Sequence, residues 1–151
     1  MARRPRCHQD DPLTVAQQRL QVRKTVSASA EAVWAVARSF CGSWHPFLEW
    51  VKAERDDNGR LVRVFKAKGE VAIYRERLTY FSDTDRELRY CHVQGIQDVQ
   101  SYEASMQVHA ENDSAQIEWQ AVFEAPEPRA SEIAQGTRAV FEAGIQALEQ
   151  A

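Results

Sequence analysis

Apolar and polar residues alternate along most of the chain, which is the pattern of half-buried β-strands. The alternation begins with Leu20, Val22 and Val26, which are separated by mostly polar residues. Six further segments rich in β-forming residues follow, with turn residues between them: residues 50–56, 60–67, 70–81, 86–95, 99–110 and 115–125. The sequence Asp-Asn-Gly at 57–59 is a strong hairpin signal. The pattern therefore predicts a meander of about seven antiparallel strands.

Apolar residues at helical spacing predict helices on both sides of the long strand-rich region. Ser27 and Ser29 are N-cap candidates for a first helix over residues 30–40. The helix is expected to break at residues 41–42, Cys-Gly. The segment Ser-Trp-His-Pro-Phe at 43–47 is then expected to form a turn or a second short helix. A long helix is predicted from about residue 131 to the C-terminus.

The final helix carries one apolar stripe that should face the sheet. The stripe consists of Thr137, Val140, Phe141, Gly144, Ile145 and Leu148. Gly136 and Gly144 lie in or beside it, although each glycine costs about 1 kcal/mol relative to alanine in a helix. They indicate either close contact between the helix and the sheet or space that is kept open for a ligand.

The order of these elements predicts an α+β domain. A curved antiparallel sheet of about seven strands is expected to wrap around the long C-terminal helix, with two short helices after the first strand. Strands that tilt away from the helix at one end should leave an internal cavity.

Length, composition and charge exclude several classes of protein. The chain has 151 residues, of which 44% are hydrophobic and 27% charged, as expected for one globular domain. The net charge is −3, and no basic face is evident, so nucleic acid is not an expected partner. No apolar run reaches the roughly 18 residues that span a bilayer, so stable membrane insertion is not expected. A monomer and a homodimer are both compatible with the sequence.

The N-terminal segment differs in composition from the rest of the chain. Residues 1–19 are mostly polar and are predicted to form a flexible extension, and residues 20–151 the folded domain. No apolar segment typical of a secretory signal follows the first arginines. Cys7, Cys41 and Cys91 have no motif spacing, which favours a reducing cytoplasm and gives no metal site. No cofactor motif is present.

Several motifs follow one another along the chain in a characteristic order and spacing: "SASAEAVWAVARSF", "WHP", "YRERL" with "SDTDRELRY", "QGIQDVQSYEASMQVHA", "WQAVFEAPEP" and "AGIQAL". Together they resemble the START/Bet v 1-like helix-grip superfamily (SRPBCC). The resemblance covers about residues 21–148, and is strongest to bacterial polyketide cyclase/dehydrase-like small proteins and more distant to plant abscisic-acid receptors. The resemblance implies a helix-grip ligand-binding domain, but this fold hosts carriers, receptors and enzymes alike.

Two strands present large polar-tipped aromatics toward the predicted cavity. Tyr102 and Ala104 share one face of their strand, and Trp119 lies on the matching face of the next. The resemblance places ligand-contacting positions of the receptors at these three residues. Tyr102 and Trp119 are otherwise expected as ordinary core aromatics whose polar tips are bonded to the backbone or to water.

Glu76 and His45 are the titratable candidates. Alternation does not decide which way Glu76 points, but the "ERL" match implies a carboxylate that faces the ligand. The alternative is a surface carboxylate paired with Arg75 or Arg77. His45 matches the position of a ligand-binding lysine in the receptors, and Pro46 restricts it to an extended conformation. Because a histidine need not be charged there, an acidic ligand is not favoured. Alternatively, His45 points to solvent.

Two classes of function remain open. The first is a carrier or sensor that binds a small hydrophobic or aromatic metabolite in the cavity. The second is a polyketide cyclase/dehydratase-type enzyme in which Glu76, His45 and Tyr102 move protons. Binding is favoured because no nucleophile or cofactor motif supports catalysis. The expected ligand-binding set is His45, Phe47, Tyr74, Glu76, Tyr102, Ala104, Trp119, Val140 and Gly144.

Overall fold

The computed structural model of the chain describes residues 15–151, which form seven strands and two helices. The elements are β1 (Val15–Val26), α1 (Ala30–Ala37), β2 (Leu48–Arg55), β3 (Leu61–Ala67), β4 (Tyr74–Ser82), β5 (Glu87–Gln94), β6 (Ser101–Glu111), β7 (Ser114–Pro126) and α2 (Arg129–Leu148). The predicted α+β class is confirmed, as is the order of the seven strands and the long C-terminal helix. No helix among residues 15–151 is both long and apolar enough to cross a membrane.

All seven strands form one antiparallel sheet in the order β1-β7-β6-β5-β4-β3-β2. Strands β2 to β7 are a continuous meander. Strand β1 pairs with β7 and forms the edge of the sheet opposite β2. The hairpin after β2 turns at Gly59, whose φ of 79° is a left-handed conformation that glycine adopts without strain. The sheet predicted from alternation is therefore present, and it wraps around the C-terminal helix as expected.

Strand β1 begins five residues earlier than the sequence pattern predicted. Residues 15–19, which were expected in the flexible extension, pair in register with Val122 to Pro126 of β7. This part of β1 carries few bulky apolar side chains, so its side chains gave no strand signal. Its backbone groups nevertheless complete the antiparallel ladder with β7, which satisfies their hydrogen-bonding requirement. The remainder of the predicted extension, residues 1–14, lies outside the described residues.

One short helix follows β1, and not two. Residues 39–47 form successive turns in which the Gly42 amide donates to the Ser39 carbonyl and the Leu48 amide to the His45 carbonyl. Pro46 disfavours the helical conformation for His45, which explains why the segment does not continue as a helix. The predicted strand over residues 70–81 likewise starts only at Tyr74, after a turn.

Helix α1 is capped by one of the two predicted serines. The Ser29 hydroxyl accepts a hydrogen bond from the Ala32 amide at 3.1 Å. Val33, Trp34 and Ala37 are buried on the face that packs against β6 and β7. The Trp34 indole donates to Asp83 at 2.8 Å, which ties the helix to the turn before β5.

Helix α2 packs mainly against β1 and β7, on the concave face of the sheet. The buried part of its stripe is Ala130, Ile133, Thr137, Phe141, Gly144, Ile145 and Leu148. Phe141 stacks on Trp119 of β7 with ring centroids 4.4 Å apart. Gly144 lies so close to the sheet that a Cβ atom would sit 2.6 Å from Trp119 and 2.9 Å from His45. Gly144 is therefore a close-contact glycine, whereas a Cβ at Gly136 would meet no atom within 4 Å.

The two glycines give a matched test of this packing. We expect Gly144→Ala to lower the free energy of unfolding by roughly 1–3 kcal/mol, because overpacking against two rings outweighs the gain in helix propensity. Gly136→Ala should instead raise it by up to about 1 kcal/mol. Urea unfolding followed by circular dichroism measures both. Equal stabilisation by the two alanines would contradict the close contact at Gly144.

Candidate functional site

A cavity of about 310 Å³ lies between the N-terminal half of α2 and the concave face of β2 to β6. It exists because α2 packs on β1 and β7, while β2, β3 and β4 curve away from the helix. The residues around it are Phe40, Gly42, Trp44, His45, Phe47, Leu48, Val51, Arg63, Phe65, Ala67, Glu70, Tyr74, Glu76, Tyr90, Ile96, Tyr102, Trp119, Arg129, Glu132, Ile133, Gly136, Thr137, Val140 and Phe141. Phe47, 42% exposed, marks the solvent side of this wall.

Most of the sequence-predicted ligand-binding residues surround this cavity: His45, Phe47, Tyr74, Glu76, Tyr102, Trp119 and Val140. Two predicted residues do not. Ala104 is buried within the sheet opposite Tyr90 and Ala121 and does not line the cavity. Gly144 is covered by Trp119 and His45, so it contributes to packing and not to the wall.

Glu76 is buried and paired with Arg63, a residue that sequence reasoning missed. Arg63 Nε donates to Glu76 Oε1 at 2.6 Å, and their side chains are only 17% and 11% exposed. The two residues are direct neighbours across β3 and β4. The alternative of a surface carboxylate paired with Arg75 or Arg77 is not what the structure contains, because these arginines bind Glu54 and Asp56.

Aromatic rings hold the Arg63 guanidinium in place. Its central carbon lies 4.2 Å from the ring centroid of Phe40 and 4.6 Å from that of Tyr90. Arg63 Nη1 also donates to the Phe40 carbonyl at 3.2 Å. Cation–π contacts of this kind gain strength when the cation is removed from water. The ion pair is thus a fixed part of the cavity wall.

His45 faces the cavity with both ring nitrogens already engaged. Nε2 lies 2.8 Å from the Val140 carbonyl, and Nδ1 accepts a hydrogen bond from the Phe47 amide at 3.0 Å. These partners require a neutral ring that carries its hydrogen on Nε2. Burial lowers the pKa of His45, and the charge of Arg63 acts in the same direction, although the bond to Val140 opposes it. His45 therefore positions α2 against the loop before β2.

Three tyrosines supply hydroxyl groups to the cavity. Tyr102 donates to Thr137 Oγ1 on α2 over a long 3.4 Å, and the Tyr90 oxygen accepts from Trp119 Nε1 at 3.1 Å. Burial raises the pKa of Tyr102 and of Tyr90 well above the usual range, so both remain protonated. Tyr74 donates to Glu70 at 2.5 Å, and its pKa is raised to about 12, first by burial and then by Glu70.

The charged groups around the cavity nearly cancel. Arg63 and Arg129 face Glu70, Glu76 and Glu132, which leaves one net negative charge. Among residues 15–151, no group of three or more His, Cys, Asp or Glu side chains is arranged to hold a metal ion. The site can therefore offer an apolar enclosure with a few fixed polar groups.

Breaking the buried ion pair should destabilise the protein more than removing it entirely. We expect Arg63→Met to lower the free energy of unfolding by roughly 3 kcal/mol, because it leaves the Glu76 carboxylate buried without a partner. Replacing both residues by methionine should recover a large part of this loss. The exposed pair of Arg75 with Glu54 is the control, and Arg75→Met should change stability little. Additive losses in the double variant would contradict a coupled pair.

The buried histidine should make stability depend on pH. Because its folded pKa is lowered, the unfolded chain binds a proton near the ordinary value of 6.5 more readily than the folded protein does. The stability that this pKa difference contributes is fully present above pH 6.5. It is lost as the pH falls from 6.5 toward the pKa of His45 in the folded protein. His45→Gln keeps a donor for the Val140 carbonyl but does not titrate, so it should reduce the loss of stability at acidic pH. Urea midpoints at neutral and mildly acidic pH measure the difference. An unchanged pH dependence in the variant would exclude His45 as the source.

The fold is shared with several solved structures. The chain is 24% identical to XoxI from Bacillus cereus, with a TM-score of 0.75 and coverage of 87% of this chain and 93% of that one. It is 16% identical to the Zhui aromatase/cyclase from Streptomyces sp. R1128, with a TM-score of 0.77 over 89% and 93% of the two chains. Norcoclaurine synthase from Thalictrum flavum is 16% identical, with a TM-score of 0.73 over 93% and 88%. At these identities the likeness extends to the fold alone.

A search of curated protein sequences found no match to this chain. The family comparison is decisive, because one family model matches residues 17–151, nearly all of the chain. The same superfamily was indicated by the sequence motifs and by the sheet wrapped around a C-terminal helix. The chain belongs to the polyketide cyclase / dehydrase and lipid transport family.

Proposed function

We propose that this protein binds a small apolar or aromatic molecule in the cavity and acts as its carrier or sensor. One observation carries the proposal: a cavity of about 310 Å³ whose wall is mostly aromatic and aliphatic, with five charged side chains whose charges nearly cancel. Ligand sites in proteins typically measure roughly 300–1,000 Å³ and have this composition. The small volume favours a compact molecule of up to three rings over a long acyl chain.

The aromatic surface of the wall would provide most of the binding energy. Trp119 is held rigid by its stack on Phe141, and Phe65 stacks on Tyr74 with centroids 5.1 Å apart at the other side of the cavity. Rigid rings lose little conformational freedom when a ligand binds. Burial of apolar ligand surface contributes about 25 cal/mol per Å². Norcoclaurine synthase, which shares the fold, has been solved with dopamine and hydroxybenzaldehyde.

The alternative of cyclase/dehydratase chemistry receives less support from the geometry. A general base needs a free lone pair, and both nitrogens of His45 are engaged. Glu76 is held at 2.6 Å by Arg63, so proton transfer at its carboxylate would have to disrupt a buried ion pair. The Tyr102 hydroxyl is protonated and bonded to Thr137. Groups fixed in this way orient a bound molecule better than they move protons.

Adjacent positions on α2 allow a direct test. Val140 faces the cavity and Ala139 is exposed to solvent. We expect Val140→Trp to fill the cavity and weaken binding of the neutral fluorescent probe N-phenyl-naphthylamine by about tenfold or more, which corresponds to about 1.4 kcal/mol. Ala139→Trp adds the same side chain outside the cavity and should leave the affinity unchanged. Fluorescence titration of the three proteins measures this.

A folding control keeps the test specific. Circular dichroism must show that both tryptophan variants are folded. Equal affinity of a folded Val140→Trp variant and the parent protein would overturn the proposal, because the probe would then bind elsewhere. Absence of probe binding to the parent protein would overturn it as well.

A further inference from the structure

Tyr90 carries a buried hydroxyl donor without a protein acceptor. Its oxygen accepts a hydrogen bond from Trp119 Nε1 at 3.1 Å, which fixes the oxygen and directs the hydroxyl hydrogen elsewhere. Among residues 15–151, no acceptor lies within hydrogen-bonding distance of that hydrogen. Tyr90 is 3% exposed and faces the cavity. Buried polar groups are usually paired, since an unpaired donor costs roughly 1–3 kcal/mol.

The surroundings of Tyr90 are fixed before any ligand arrives. Arg63 lies over one face of its ring at 4.6 Å, and Phe40 packs at 5.7 Å between ring centroids. The Trp119 ring that donates to Tyr90 is itself stacked on Phe141 of α2. The hydroxyl is therefore a preorganised donor, and a ligand would bind it without reordering the protein.

The charges near Tyr90 select among ligand oxygens. Arg63 is neutralised by Glu76 at 2.6 Å, so the pair presents almost no net charge. The whole lining has one excess negative charge, because Glu70 and Glu132 outnumber Arg129 at the mouth. A carboxylate ligand would be repelled by this negative charge, whereas a neutral carbonyl oxygen would not. A neutral acceptor also suits a Tyr90 hydroxyl that remains protonated.

We infer that Tyr90 is the specificity-determining residue of the cavity, and that its hydroxyl binds a neutral carbonyl oxygen on an otherwise aromatic ligand, such as an aryl ketone or aldehyde. This inference rests on the proposed binding function and names the chemical class of the ligand. Trp119 acts with it as a positioning residue, because its indole donor fixes the direction of the Tyr90 hydroxyl.

Two probes of equal shape separate the carbonyl oxygen from apolar burial. Acetylnaphthalene and isopropenylnaphthalene, substituted at the same ring position, have the same planar arrangement of heavy atoms, and a CH₂ group in the second replaces the acceptor oxygen of the first. The parent protein should bind the ketone about tenfold more tightly, which is the range of one net hydrogen bond. Tyr90→Phe should abolish this preference by weakening the ketone alone. The control Tyr80→Phe removes a surface hydroxyl bonded to Asp85 and should preserve it.

A spectroscopic measurement on the parent protein makes the test independent of variant folding. With the carbonyl carbon isotopically labelled, its NMR chemical shift in the complex with the parent protein should lie downfield of its value in an apolar solvent, and Tyr90→Phe should move it back toward that value. Equal affinity of the parent protein for both probes overturns the inference but leaves the binding function intact. A ketone preference that survives in Tyr90→Phe and is lost in Tyr102→Phe also overturns it. Binding of neither probe overturns both the inference and the proposed function.

Discussion

The close approach of helix α2 to Trp119 is the constraint on which the rest of the structure depends. Gly144 permits it, since a single Cβ atom there would lie 2.6 Å from the indole ring. The contact joins the C-terminal half of the helix to β1 and β7, and the stack of Phe141 on Trp119 extends it by one turn. Because the sheet curves, the N-terminal half of the helix cannot follow β2 to β4, and a cavity of about 310 Å³ results. The contact between Gly144 and Trp119 thus sets the packing of the helix on the sheet and, with it, the position of the cavity.

Most of the polar groups that face the cavity are committed to protein partners. The Arg63–Glu76 pair compensates its own charge, while His45 bridges Val140 and the Phe47 amide. Such a wall can stabilise a bound molecule by burial and by orientation. The Tyr90 hydroxyl is the exception, and it is the group by which the cavity can distinguish one ligand from another.

The fold was predictable from sequence because strand alternation and the helical stripe each have a strong period. Side-chain patterns failed where backbone pairing decides the outcome, as in residues 15–19, which join β1 through the β7 ladder. Alternation could not orient Glu76, since both faces of β4 carry apolar residues. Its partner Arg63 follows from strand register, which depends on the turn between β3 and β4. Tyr90 gave no signal, because its unpaired hydroxyl is visible only once Trp119 is placed beside it.

The most direct test of ligand binding in this cavity is a two-dimensional ¹H–¹⁵N NMR titration of the protein with N-phenyl-naphthylamine. The indole N–H of Trp119 lies at the cavity, whereas that of Trp34 is bonded to Asp83 outside it and serves as an internal control. Binding in the cavity predicts a saturable shift of the Trp119 indole resonance and of the Thr137 amide, with the Trp34 resonance unmoved. Shifts confined to Trp34 and the outer face of the sheet, or no shift at all, would contradict it.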